Sequence, residues 1–595
     1  MYAVGIPIDS LLLIPSSTTE TQSLAKKIEK GFEKAVLYLT YMNYSDRPKE
    51  RAVLGTAPYE PYEGRIIRNI RIRILKPYGT DVDNPGYYKV NKLQGFSNKI
   101  QLSTRSWVVK NDLQFQQGDR VKAINFSDTE RLLWDRRMYK DLKIVILPVE
   151  GSDEVDVDVV VRDRWAWRVT TNIEFTNVNV GVGLANFFGL PHTIYNRVAI
   201  NFQPGNLYTL FGGYSYQNIA RSKINFQAEY AYDKLNAIGD VGFYKDFLSA
   251  DDRWAGHVRF FINDSKGTQT SLGGEVVPTN VLYHTEDAWF AYSFRIKNRF
   301  KKGGDLNRIV LSTRLLNTDY LRRPFTRSRD RSQSFFDNTT ALFSLGFSRW
   351  DYYFDRDVFY LGRGEYFPKG LNAAIIGGWQ RDEELANRMY TGIRLNYARY
   401  FPRFGYWYQE LSYGGYTNFQ RYQQVLLQMR QSIYTNKLKM GQCHYRQFVT
   451  MITNFGFDRP IGRENVLNDR SGLSGVLVNN IRGQSNIVLN LESAFYPTFK
   501  VVGVTSCVFA FADLALTNGQ GYLFSESPRF YQSFGFGLRM RNQDFGWGFI
   551  ELKFAYVPRL QEYGFRPYLF NANYLNSRDI PRVNLFRPEL LDIDR

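Results

Sequence analysis

Cysteine and histidine are almost missing from this chain of 595 residues, with two of the first and four of the second. Those counts exclude a disulfide-stapled fold and a Cys/His zinc protein. Also missing is any apolar run near the roughly 20 residues that a membrane-spanning helix needs. Aromatic residues, by contrast, reach 16%, with 41 Tyr and 45 Phe, which excludes a disordered chain. Glycine is abundant at 47, and 76 Lys+Arg against 58 Asp+Glu leave a net charge of +18. At about 150 residues per domain such a length suggests about four globular units. The composition fits better a large β protein whose strands are each half apolar, as in barrels with one strand face on lipid and the other on water.

Catalytic patterns are missing as well. No nucleophile elbow, phosphate loop, CxxC or HExxH occurs. His192, His257, His284 and His444 share no ligand spacing, and acidic pairs such as Glu383-Glu384 read as solvated loop charge. The expectation is therefore no enzyme, no catalytic residue, no metal ligand and no cofactor. The basic residues are spread along strands rather than clustered, so no nucleic-acid partner is expected. Cys443 and Cys507 read as ordinary strand residues. Residues 1–17 lack a basic n-region, and Leu11-Leu12-Leu13-Ile14 is too short for the apolar core of an export signal. That counts mildly against export, and the strand pattern must outweigh it.

Along the chain, residues 1–63 read as a helix (Leu24, Ile28, Phe32, Val36, Leu39) followed by a linker. Residues 64–163 read as a small α/β unit. It has a strand through Ile66, Ile70, Ile72 and Ile74, helices over 100–113 and 127–139, and strands over 142–149 and 155–161. Ser127-x-x-Glu130 has the form of a capping box for the second helix. From 164 to 558 the pattern has period two. Ile224, Phe226, Ala228, Tyr230 and Tyr232 alternate with Lys223, Asn225, Gln227 and Glu229, and Phe534, Phe536 and Leu538 alternate with Ser533, Gly535, Gly537 and Arg539. The segments run about 9 to 13 residues, enough to cross a bilayer at a tilt. This predicts a transmembrane antiparallel β-barrel. Arg197, Arg259, Arg314, Arg394 and Arg539 fall at inward positions, giving a positive lumen, while basic residues at segment ends suit anionic lipid headgroups. Aromatic clusters such as 349–354, 397–401 and 404–408 suit the headgroup level. Residues 559–595 read as a tail outside the barrel.

At this point a family resemblance enters. Glu63-Gly-Arg-Ile-Ile-Arg-Asn-Ile70, Phe115-Gln-Gln-Gly-Asp119 and Val157-Asp-Val-Val-Val-Arg-Asp-Arg-Trp165 resemble pieces of a POTRA domain. Behind them, Gly181-Val-Gly-Leu-Ala-Asn-Phe-Phe-Gly189, Val488-Leu-Asn-Leu-Glu492, Val508-Phe-Ala-Phe-Ala-Asp513 and Ser533-Phe-Gly-Phe-Gly-Leu-Arg539 follow in order. Together they resemble the barrel of BamA/TamA-type outer-membrane assembly proteins, the bacterial surface antigen family, here with a single POTRA unit. The resemblance implies about sixteen strands, a bacterial outer-membrane location, and the POTRA-like unit in the periplasm. It also implies an external loop folded into the lumen with an Arg-Gly-aromatic tip. In Asn468-Asp-Arg-Ser-Gly-Leu-Ser-Gly-Val476, Ser474 stands in the Arg position, Gly475 keeps the glycine and Val476 replaces the aromatic. A hydroxyl has neither the charge nor the fork of a guanidinium. Arg470 or Arg482 is then the candidate cation, with Arg482 preferred, for the lumenal carboxylates Glu492 and Asp513.

The function so implied is assisting insertion, assembly or translocation of other outer-membrane components. Clients would be received on the edge of the POTRA unit by strand addition. The expected partners are unfolded outer-membrane proteins, outer-membrane lipids, and accessory periplasmic or lipoprotein subunits. The seam strands are expected at Arg168 to Phe175 and Gly548 to Tyr556. Two rivals are a dedicated export barrel for one polypeptide or lipid, and a passive porin or structural barrel.

Overall fold

The computed structural model describes residues 55–136, 138–173, 177–202, 207–249, 252–270, 276–296, 307–323, 335–362, 364–383, 386–418, 421–459, 465–469, 471–476, 481–499, 504–518, 528–542, 550–563, 567–573 and 586–591. The helix expected over residues 24–39 lies outside them.

The first unit carries β1 (Ile66–Leu75), α1 (Lys92–Ile100), α2 (Ser106–Asp112), α3 (Ala123–Asp135), β2 (Tyr139–Pro148) and β3 (Glu154–Asp163). The sheet order is β1-β3-β2, with β1 parallel and β2 antiparallel to β3. Val155, Val157, Val159 and Val161 of the central β3 are fully buried against Ile67, Val109, Phe126 and Leu133. Three helices form, not the expected two, and their boundaries differ. The capping box belongs to α1, where Asn91 accepts from the Gln94 amide at 2.8 Å and the Gln94 side chain accepts from the Asn91 amide at 3.1 Å. Ser127 lies inside α3, whose Ala123 amide is instead capped by the Glu63 carboxylate at 2.7 Å. A cap supplied from so far upstream leaves no local spacing to read.

The remaining strands form one antiparallel ring of 21 strand elements among the described residues, where about sixteen were expected. One of them, Leu438–Met440, sits in the turn between two strands that also pair directly. Extra strands hide behind turns without Gly or Pro. At Lys234-Leu235 the Asp233 carboxylate accepts from the amides of Leu235 and Asn236, both at 2.8 Å, so an Asp side chain makes the reversal. The wall is uneven. The first ring strands, such as Trp167–Ile173 and His192–Asn201, have 7 to 10 residues, whereas Val276–Arg295 has 20. The ring ends on two short strands, Ile550–Tyr556 and Tyr568–Asn573.

Among the described residues, closure joins Tyr568–Asn573 to Trp167–Ile173 through the register pair Ala572↔Ile173, and Trp167–Ile173 shares seven pairs with its other neighbour. The expected first seam strand is therefore correct and the expected last one is not. The tail expected outside the barrel supplies that last strand, because Tyr568-Leu-Phe-Asn-Ala-Asn573 is too short to stand out as a periodic run. On the outer face Val258, Phe343, Ile375 and Phe536 are more than 60% exposed, and Leu315, Leu345 and Ile393 more than half. The opposite faces of the same strands are polar and buried, with Arg314, Ser344, Asn372 and Asn396 turned inward.

Candidate functional site

The lumen is filled from three directions, and each filling has its own chemistry. From one end comes the segment between Cys443–Phe457 and Ser485–Pro497, within which Asn465–Val466 pairs with Arg482–Gly483. Leu467, Leu473, Val476 and Ile481 bury themselves against Val488, Ala515, Tyr531 and Val557 of the wall. At the tip the Ser474 amide donates to Asp513 Oδ2 at 3.0 Å, and Asn490 donates to Asp513 Oδ1 at 2.7 Å. Ser533 Oγ donates to the Ser474 carbonyl at 2.6 Å. The Gly475 amide donates to Asp469, which also receives Lys553 Nζ at 2.8 Å. Gly475 has φ +84°, and a Cβ there would stand 2.6 Å from Ala555 Cβ, so only glycine fits.

The Ser474 backbone amide and the Asn490 side-chain amide thus occupy the Asp513 carboxylate, where a guanidinium was expected. Glu492 is gripped by Arg539, through Nη1 at 2.5 Å and Nη2 at 2.9 Å, and Arg539 Nε donates to Glu551 at 2.7 Å. The guanidinium lies 3.9 Å from the centre of the Phe509 ring. Arg482, the preferred partner at the sequence level, is exposed on its two-residue strand, and the cation on Glu492 is Arg539. Arg539 is among the inward arginines read from the alternation. Its partners depend on strand register, which brings Arg539 opposite Glu551, and the sequence pattern does not fix register. Arg470 lies outside the described residues.

The second filling is aromatic. Phe367, Tyr406, Tyr408, Tyr434, Phe448 and Phe509 form a buried cluster around the inward turn 357–361. That turn is held by the Glu365 carboxylate, which accepts from the amides of Val358, Phe359 and Tyr360 at 3.0 to 3.1 Å. The clusters assigned to a headgroup belt are therefore split by strand alternation, with Tyr406 and Tyr408 facing inward. Arg446, 1% exposed, sits over the Tyr434 ring and pairs with Asp355 at 2.9 Å.

The third filling is the carboxyl-terminal segment Phe586–Leu591. Phe586 packs edge-on to Phe247, with ring centres 5.4 Å apart, beside Trp289 and Val310. Arg587 pairs with Asp287, which Arg314 holds through a fork of two 2.8 Å bonds, and Glu589 pairs with Arg394 at 3.4 Å. Arg259, Arg314, Arg394 and Arg539 are each matched by a carboxylate, and Arg197 lies over the Phe211 ring, so much of the expected positive charge in the lumen is neutralised.

At the end opposite the inserted loop, the α/β unit rests on consecutive turns of the ring. The Arg105 amide donates to Gly189 O at 3.0 Å, and Asn186 donates to Thr104 Oγ1 at 2.8 Å. Arg136 reaches Gln217 at 2.6 Å, Asn218 reaches Asp112 at 2.8 Å, and Lys223 reaches Gln114 at 2.6 Å. Trp134 Nε1 donates to Gly364 O at 2.6 Å. Asp163, buried at the end of β3, accepts from the Thr104 amide and hydroxyl at 2.9 and 2.6 Å, and burial pushes its carboxyl up to about 6. Thr104 thus ties the end of β3 to the ring.

Cys443 and Cys507 are not joined in a disulfide. Among the described residues no three His, Cys, Asp or Glu side chains converge as metal ligands. Glu383 pairs with Arg323 at 2.7 Å, as surface charge does.

No family model matches the sequence, and no curated protein matches it. Among solved structures the chain is similar to BamA from Haemophilus ducreyi lacking POTRA domains 1–3, at 12% identity and a TM-score of 0.38, covering 85% of this chain and 83% of that one. It is similar to CdiB from Acinetobacter baumannii at 10% identity and 0.38, covering 94% and 99%, and to CdiB from Escherichia coli at 10% identity and 0.39, covering 93% and 97%. Likenesses of this degree carry no functional conclusion.

Proposed function

We propose that this chain is an outer-membrane β-barrel that helps insert, assemble or translocate other outer-membrane components, without covalent chemistry. The observation that carries the reading is closure between two of the shortest strands of the ring, Trp167–Ile173 and Tyr568–Asn573, which meet among the described residues at Ala572↔Ile173. A seam between strands this short is the place where the wall opens at least cost and templates a client strand. The exposed apolar outer face supports the membrane location, since water-soluble monomers rarely expose apolar patches larger than a few hundred Å². The α/β unit is the client-receiving, POTRA-like periplasmic module, with β1 and β2 as the free sheet edges. Outer-membrane lipids and accessory subunits complete the partner set.

A second reading, a dedicated export barrel, is favoured by the chain segment lying in the lumen, since the wall that holds it is already suited to polypeptide. Depletion of the protein in cells, followed by the outer-membrane proteome, tests both. General loss of barrel proteins supports assembly, and loss of one exported product supports export. An unchanged proteome rejects both and leaves the passive barrel.

A further inference from the structure

We propose that the inner wall around Asp287, Arg314, Tyr390 and Arg394 is a binding groove for an extended polypeptide, and that residues 586–591 are its resident occupant in cis. The inference deepens the export reading above and rests on it only for the origin of the client.

Two of the contacts address main-chain atoms rather than side chains. Arg314 Nη1 donates to the Pro588 carbonyl at 3.1 Å, and the Leu591 amide donates to the Tyr390 hydroxyl at 2.8 Å. Hooks on the main chain accept many sequences. Around them lies a short pattern of side-chain sites: an aromatic seat at Phe247 and Trp289, a carboxylate at Asp287, and a guanidinium at Arg394. An occupant therefore has an aromatic residue, then a basic one, then an acidic one two positions on, as in Phe586-Arg587-Pro588-Glu589.

The present occupant fits only in part. Next to Arg394, both amide atoms of Asn372, the Asn396 carbonyl oxygen and the Ser412 hydroxyl are buried without a hydrogen-bond partner among the described residues. Asn372 lies opposite Asn396, and Ser412 lies opposite Arg394, so these groups form one patch of the wall. Buried polar groups are nearly always paired, and a longer extended chain brings the main-chain donors and acceptors that this patch lacks. The groove also begins where a client would arrive. Phe586 lines a small cavity with Ile124 and Arg131 of α3 and with Phe247, Trp350 and Tyr352 of the ring.

The test uses the full chain in detergent and a labelled synthetic peptide of residues 586–595. Arg587→Glu combined with Glu589→Arg unseats the tail by placing like charges on Asp287 and Arg394, with folding checked by the heat-modifiable gel band. This variant is expected to bind the peptide at least tenfold more tightly than the parent, and adding Arg394→Glu is expected to undo most of that gain. Equal binding by parent and tail variant, or binding indifferent to Arg394→Glu, would overturn the proposal. Hydrogen exchange on the unmodified chain gives an answer that no variant's folding can obscure. Saturating peptide should speed exchange of the 586–591 amides, and unchanged protection would show that the tail is a fixed part of the fold. Since the readout is binding in vitro, its failure is distinct from an unchanged depletion proteome.

Discussion

Arg539 shows how much of the lumen depends on single side chains. It pairs with two buried carboxylates, so Arg539→Met removes the guanidinium that grips Glu492 and Glu551. Removing one partner of a buried ion pair costs roughly 3–5 kcal/mol. The unfolding temperature of the heat-modifiable band should fall accordingly, and Glu492→Gln in the same chain should recover part of the loss. At the loop tip the order of sensitivity should run against the sequence reading. Ser474→Ala keeps the backbone amide that binds Asp513 and gives up only the hydroxyl, so it should cost less than Gly475→Val, which meets both the positive φ and the Ala555 contact. Protease sensitivity of the loop in intact cells measures both. Asp163 gives a pH dependence outside the barrel wall. Its carboxyl lies at about 6 in the folded chain against an ordinary 3.8. The folded state therefore holds the proton more tightly, and stability from this group is full below about pH 4 and lost as pH rises through 6. The difference is on the order of 3 kcal/mol. Melting curves between pH 4 and 7 should show that slope in the parent and not in Asp163→Asn. Positions were legible here and partners were not. Arg539 could be assigned to the lumen from alternation, and Glu492 and Asp513 through the family resemblance, but which charge meets which is a matter of register.

Strands were the easiest elements to read, because one face of each is apolar over many residues. Phe343 and Ser344 test that reading on adjacent positions of one strand, the first exposed outward and the second turned in. Phe343→Arg should cost roughly 2–4 kcal/mol near mid-bilayer, measured as folding yield into lipid vesicles, while Ser344→Arg is judged by the room in the lumen. Equal effects on both would argue against lipid on the outer face. The helices of the first unit were harder. Asn91 and Gln94 form a cap four residues from Pro-free, weakly periodic sequence, and α3 takes its cap from Glu63 across the domain. The strand count was carried over from the family resemblance, and the sequence offered no independent check where a reversal such as that at Asp233 lacks Gly or Pro punctuation. The last strand, six residues long, falls below what periodicity can detect.

Taken whole, the molecule is a ring of unequal height, closed at its thinnest place and occupied inside by its own loop and carboxyl terminus. If the seam must open, then Ile173→Cys with Ala572→Cys, oxidised to a cross-link, should abolish function in cells, and reductant should restore it. An active cross-linked protein would locate the working opening elsewhere. The family resemblance anticipated the ring and the inserted loop. It did not anticipate the lumenal tail, which no alternation or motif announces because it is not a strand. The closure pair also sets a schedule for synthesis. Ile173 and Ala572 are separated by about 400 positions, and joining ends so far apart costs about 5 kcal/mol of chain entropy. Until the strand Tyr568–Asn573 has left the ribosome, the sheet has two open edges and no means of pairing them with each other. A product ending before Tyr568 stays in that state permanently, as a template for aggregation. Quality control therefore falls on the strand Tyr568–Asn573, and termination before it should yield degraded or aggregated chains instead of a slightly smaller barrel.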